Sequence, residues 1–181
     1  MNLQDQESVS PQEQTEQQTQ TSDTKRQSCW ESNSQECPDN VNTLKVLNNV
    51  KINASTAKRA TETVIEYVDN KNFADLLKAQ VIKYDDFVRR ADQLANSTGC
   101  LLEEQGGLGQ FFAKANIKMK LMSDNSVGKV AELMIIGSTM GMIDLGKVLR
   151  HTPDVNPDTL KLAKELLLYE EDKIQAMKYH L

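Results

Sequence analysis

Aromatic residues make up only 5% of this 181-residue chain, and glycine and proline number just eight and four. Sheets draw on aromatic and β-branched side chains, and tight turns draw on glycine. That shortage, beside abundant Ala, Leu, Lys, Met and Glu after residue 42, points to helices. Nor is there any run of the roughly 18 consecutive apolar residues that a membrane span requires. The opening Met1-Asn2-Leu3-Gln4-Asp5 has no basic start and no apolar stretch, so no secretory signal is expected and the cytoplasm is. Positive charge is not clustered: the net charge is −5, and Lys and Arg are interspersed with acids. A surface that tracks phosphates needs clustered cations, which argues against nucleic acid as a partner. Cysteine is too sparse for a disulfide framework. Cys29, Cys37 and Cys100 are read as reduced thiols, because His151 and His180 lie too far along the chain to complete a zinc site.

What is present divides at about residue 40. Residues 1–40 are rich in Gln, Ser, Thr, Glu and Asp, with nine Gln, and Trp30 is their one aromatic. Such a segment buries too little apolar surface to offset its ordering entropy, so a disordered tail is expected there. Residues 41–181 read as one four-helix-bundle domain. A first helix, capped by Asn42 or Thr43, carries Leu47, Val50, Ala54, Ala57, Thr61, Val64 and Val68 at helical spacing, and breaks at Asp69-Asn70-Lys71-Asn72. A second carries Phe73, Leu77, Gln80, Tyr84, Phe87, Ala91, Leu94 and Thr98, and stops at Gly99. Cys100 to Asn125 then reads as a glycine-rich loop followed by a shorter helix, within Phe111–Met122, that crosses between bundle halves. Ser126 caps a third helix running to about Arg150. Asn156-Pro157-Asp158 opens a fourth, with the line Leu160, Ala163, Leu167, Glu170, Ile174, Met177 and Leu181. Amphipathic stripes of this kind need one another to be buried, which makes the chain all-α.

Enzyme motifs are missing: there is no phosphate loop, no dinucleotide fingerprint and no paired-histidine zinc motif. The spacing Gly137-x-x-x-Gly141 predicts a close helix approach instead. The chemistry open to a four-helix bundle is a carboxylate metal site, built from inward Glu and from Glu-x-x-His pairs. Glu170 lies on the core line, but Lys173 stands where the motif has His, and Glu-x-x-His occurs nowhere. Asp144 points with apolar neighbours, while Glu132 falls on the polar face near Lys129. Glu170, Asp144 and Glu132 are therefore the metal candidates, and no cofactor is expected beyond an outside chance of iron or manganese. If the second and third helices run parallel, Thr61, Gln80, Tyr84 and Glu170 form one polar core layer, level with Gly137. Buried carboxylates need such partners.

Several stretches together resemble a known family. They are Gly107-Leu108-Gly109 through Phe111-Phe112, Asp124-Asn125-Ser126, Val130-Ala131-Glu132-Leu133, Gly137 and Lys147, with Tyr84, Phe87, Ala91 and Leu94 in the second helix. Over residues 44–181 the chain is similar to a bacterial family of ferritin-like four-helix-bundle proteins, a domain of unknown function. The resemblance implies an up-down-down-up bundle with a crossover between the second and third helices, and no particular activity. Where many members carry Gly-Glu in the third helix this chain has Gly137-Ser138, one carboxylate fewer. The functional expectation is a non-enzymatic bundle acting by self-association, as a homo-oligomer, or by binding a protein partner. Seven methionines, five of them from Met119 to Met142, supply adaptable apolar surface for core or contact use. The alternatives are a divergent iron-handling protein and a lipid-surface binder using Phe111, Phe112, Lys114, Lys118 and Lys120, although a membrane is not the expected partner.

Overall fold

The computed structural model describes residues 38–102 and 124–181, and within them every regular element is a helix. Four helices follow in order: α1 (Pro38–Ile65), α2 (Lys71–Ser97), α3 (Val127–Arg150) and α4 (Pro157–Lys178). The expected crossover helix and residues 1–37 of the expected disordered tail, and with them Trp30, Cys29, Cys37 and the Phe111–Lys120 surface, lie outside the described residues; residues 38–40, expected in the tail, belong to α1 instead.

Side chains cap three helix starts, two of them, Ser126 and Asn156, where the sequence signals lie; α2 starts at Lys71, inside the stretch read as a break. Asn70 Oδ1 accepts from Phe73 N at 3.0 Å, Ser126 Oγ from Lys129 N at 3.2 Å, and Asn156 Oδ1 from Asp158 N at 2.9 Å. Each satisfies an amide that the first turn leaves without an intrahelical partner. The first helix departs from expectation. It opens at Pro38, whose missing N–H costs nothing in a first turn, so Asn42 and Thr43 are not its caps. Both residues brace the α3–α4 turn instead. Asn42 Nδ2 donates to Pro153 O at 2.8 Å, and Thr43 Oγ1 accepts from Asn156 N at 3.0 Å. Gly99 ends α2 with φ +75, a left-handed conformation that glycine adopts without strain.

Pairs of contacting residues settle the direction of each helix. Lys51 meets Asp92 and Lys58 meets Asp85, so α1 and α2 are antiparallel. Asn49 meets Asp144, and Asn125 at the head of α3 donates to Tyr67 O, so α1 and α3 are antiparallel as well. Arg90 meets Glu165 and Phe73 stacks on His180, which sets α4 antiparallel to α2. The order is therefore up-down-down-up, with α2 parallel to α3 and α4 diagonal to α1. The α2–α3 connection leaves near the start of α1 and returns beside its end.

The core is two apolar clusters rather than one. Val46, Leu47, Val50, Tyr84, Phe87, Leu145, Leu162 and Leu166 belong to the cluster at the end where α1 begins. Ala60, Val64, Phe73, Leu77, Val130, Met134 and Met177 belong to the other. Gln80, Ser138, Glu170 and Lys173, all buried, fall between the two clusters along their helices.

Candidate functional site

At the layer between the clusters three side chains are in mutual contact, Glu170 and Lys173 from the layer itself and Tyr84 from the edge of the first cluster. Tyr84 of α2 donates its hydroxyl to Glu170 Oε1 at 2.7 Å. Lys173, one turn beyond Glu170 on α4, lies 2.9 Å from Glu170 Oε2 and also donates to the Tyr84 oxygen. Its ammonium sits 4.7 Å from the centroid of the Tyr84 ring, adding a cation–π contact. Relative exposures of 0% for Tyr84, 6% for Glu170 and 5% for Lys173 place the trio in low dielectric, where such contacts are strong and breaking them is costly. Tyr169 packs edge-on against Tyr84 with ring centroids 5.5 Å apart.

Electrostatics follow from that burial. Desolvation, reinforced by the adjoining Glu170 charge, pushes the Tyr84 phenol well above its usual range, so it stays a neutral donor. The Ser138 hydroxyl works weakly against that rise, yet Ser138 Oγ has no hydrogen-bond partner among the described residues. Tyr169 is raised by its own burial first and by Glu170 second. Burial lowers Lys173 below the ordinary lysine range, although Glu170 pulls it back up.

A cleft of about 40 Å³ opens between α1 and α3 and reaches this layer. Asn53, Thr56, Met134, Gly137, Ser138 and Gly141 line it, with Glu170 and Lys173 of the diagonal helix α4. Gly141 keeps the two helices close, since a Cβ there would lie 3.0 Å from Asn53 Oδ1. Asn53 is itself held by donating to Asn49 O at 3.1 Å and to Asn49 Oδ1 at 2.9 Å.

The structure sorts the expected site residues. Tyr84 and Glu170 are joined, and Gln80 is buried in the same layer with Oε1 unpartnered among the described residues. Thr61 is buried but spends its hydroxyl on Ala57 O of its own helix at 2.8 Å, so it donates nothing to Glu170. Of the metal candidates, Asp144 accepts from Asn49 Nδ2 at 2.8 Å, and Glu132 pairs with Lys129 on the exposed face at 2.7 Å. Neither has Glu170 as a partner, and among the described residues no three metal-binding side chains gather.

Lys173 was missed, because the expected α4 line ran through Leu167 and Ile174. The buried stripe is turned instead to Thr159, Leu162, Ala163, Leu166, Glu170, Lys173 and Met177. The signal was available: Thr159, Ala163, Leu166, Glu170, Lys173 and Met177 alternate steps of four and three. A lysine is buried on such a line only when it is paired, and Glu170 one turn earlier supplies the pair. On α2, similarly, Ala95 takes the buried place expected of Leu94.

Comparison of the chain with protein-family models, with curated proteins and with solved structures returns no match.

Proposed function

We propose that this chain is a non-enzymatic helical module that acts by association, with a second copy of itself as the first partner to test. The carrying observation is an apolar row on the outer side of α3. Ile136 and Ile143 lie two turns apart, 36% and 52% exposed, with the half-buried Met140 between them. Exposed isoleucines at helical spacing, joined by an adaptable methionine, suit a helix-to-helix contact. The inward chemistry supports the same reading, because the charge of Glu170 is already neutralised by Lys173. The up-down-down-up order is in keeping with a ferritin-like bundle of the bacterial kind. The proposed setting is the cytoplasm; among the described residues no helix is long and apolar enough to cross a membrane.

Sedimentation of the full chain across a range of concentrations tests this reading. A concentration-dependent dimer is expected, and I136E/I143E weakens it by about tenfold or more, since two buried charges without partners oppose association. Both side chains face outward, so helicity by circular dichroism stays at the native level. A chain that remains monomeric at every concentration, or a dimer indifferent to the two substitutions, overturns the assignment of this face.

A second reading, divergent iron or manganese binding, rests on Glu170-x-x-Lys173, which keeps the spacing of the Glu-x-x-His motif. In it an ion displaces the Lys173 ammonium from Glu170; Asp144 and Glu132, the other candidate carboxylates, are paired elsewhere, with Asn49 and Lys129. Metal analysis of the same purified sample decides it: stoichiometric iron or manganese favours this reading, and a metal-free sample that takes up neither ion removes it.

A further inference from the structure

A buried ion pair is seldom the most stable filling for a core. Well-packed apolar side chains of similar volume serve as well or better. Here the pair also sits where a cleft reaches the layer, and α4 lies diagonally behind the α1–α3 opening, so Glu170 and Lys173 stand at its inner end. Ser138 Oγ lines that cleft and is without a partner among the described residues, ready for a polar atom that enters. A lysine becomes a nucleophile when its ammonium loses a proton, which needs a dry site and a base at hand. Glu170 Oε2 is 2.9 Å from the Lys173 nitrogen. Burial already holds this ammonium below the ordinary lysine range.

We propose that Lys173 captures small aldehydes: a neutral carbonyl compound entering the α1–α3 cleft condenses with the Lys173 amine to form an imine, with Glu170 moving the protons. The Lys173 ammonium passes a proton to Glu170, and the freed nitrogen attacks the carbonyl carbon. The C–N bond forms as the carbonyl π bond opens, and the proton shed by nitrogen goes to the former carbonyl oxygen, giving a carbinolamine. Ser138, which lines the cleft, donates a hydrogen bond to that oxygen. Protonated Glu170 then returns its proton to the hydroxyl, the C–O bond breaks, and water leaves. The product is a protonated imine paired with the Glu170 carboxylate. One aldehyde and one ammonium have become one iminium and one water, with no oxidant or reductant needed. A cleft of about 40 Å³ has room for roughly one to three waters, which favours an aldehyde of only a few heavy atoms. This inference does not depend on association through α3.

Acetaldehyde fits that limit. The test treats the full chain with limiting acetaldehyde and cyanoborohydride at mildly alkaline pH, and follows ethylation of each lysine by peptide mass spectrometry. Lys173 is expected to react about tenfold or more faster than the exposed Lys78 and Lys161. Unfolding in urea abolishes the preference, and benzaldehyde, too large for the cleft, shows none in the folded protein. E170Q, where it folds, lowers the Lys173 rate by about tenfold while leaving the surface lysines unchanged. The wild-type rates decide alone if that variant does not fold. Lys173 reacting less than tenfold faster than Lys78, or being protected from the reagent, overturns the proposal and leaves the trio a purely structural layer.

Discussion

Lys173 is buried among apolar neighbours because the Glu170 carboxylate supplies its counter-charge and the Tyr84 oxygen accepts from its ammonium. The trio should therefore behave as a unit in stability as well as in chemistry. E170M leaves the ammonium without its counter-charge, and K173M leaves the carboxylate with Tyr84 as its one described hydrogen-bond partner; each is expected to cost about 3–5 kcal/mol. The double substitution E170M/K173M removes both charges at similar volume and should recover most of that loss. Urea denaturation of the four proteins closes the cycle; additive losses would falsify the coupling. Most of this layer was legible from spacing alone, since Gln80, Tyr84 and Glu170 fall on lines of three and four. Lys173 was not, because a charged side chain is read as solvent-facing until a partner is known to reach it. Thr61 is in the core, as its spacing indicates, but its hydroxyl found a closer acceptor on its own helix.

At the scale of the element, the glycines of α3 differ according to what faces them. Nothing lies within 4 Å of a Cβ built on Gly146, whereas one on Gly141 would press on Asn53 Oδ1 at 3.0 Å. G146A should stabilise the protein by about 0.5–1 kcal/mol, the ordinary gain of alanine over glycine inside a helix. G141A should gain less or lose outright, because Asn53 is tied to Asn49 and must give way. Thermal unfolding of the two variants side by side checks the contrast. Equal gains would mean that α1 and α3 are not held close at Gly141. The spacing Gly137-x-x-x-Gly141 announced a close approach, but nothing in it identified Asn53 as the side chain approached. That required knowing that α1 and α3 are neighbours.

For the molecule as a whole, buried titratable groups shape stability against pH. Lys173 has a lowered folded pKa, so on the alkaline side the unfolded chain binds more protons than the folded one, and stability rises with pH up to the ordinary lysine range. Tyr84 and Tyr169 are raised, so their contribution is complete below about pH 10, the unfolded tyrosine value, and is lost as pH climbs through their folded values. Stability should climb toward pH 10 and fall beyond it. K173M flattens the climb, and Y84F softens the fall without abolishing it, because Tyr169 remains. Urea midpoints measured from pH 7 to 11 test both signs; a monotonic decline across that range would contradict the Lys173 contribution.

The sequence by itself determined that the domain is helical, where α3 and α4 begin, and that a polar layer interrupts its core. These are consequences of local chemistry: capping side chains satisfy amides within a turn, and apolar spacing follows the period of the helix. Tertiary structure decided the rest. The start of α1 gave up its expected caps to the α3–α4 turn, the α4 stripe rotated to bury Lys173, and a cleft opened against that lysine. Each outcome depends on which helix lies beside which. A side chain's partner across the bundle is set by packing between segments far apart in the chain, and no local pattern carries that information.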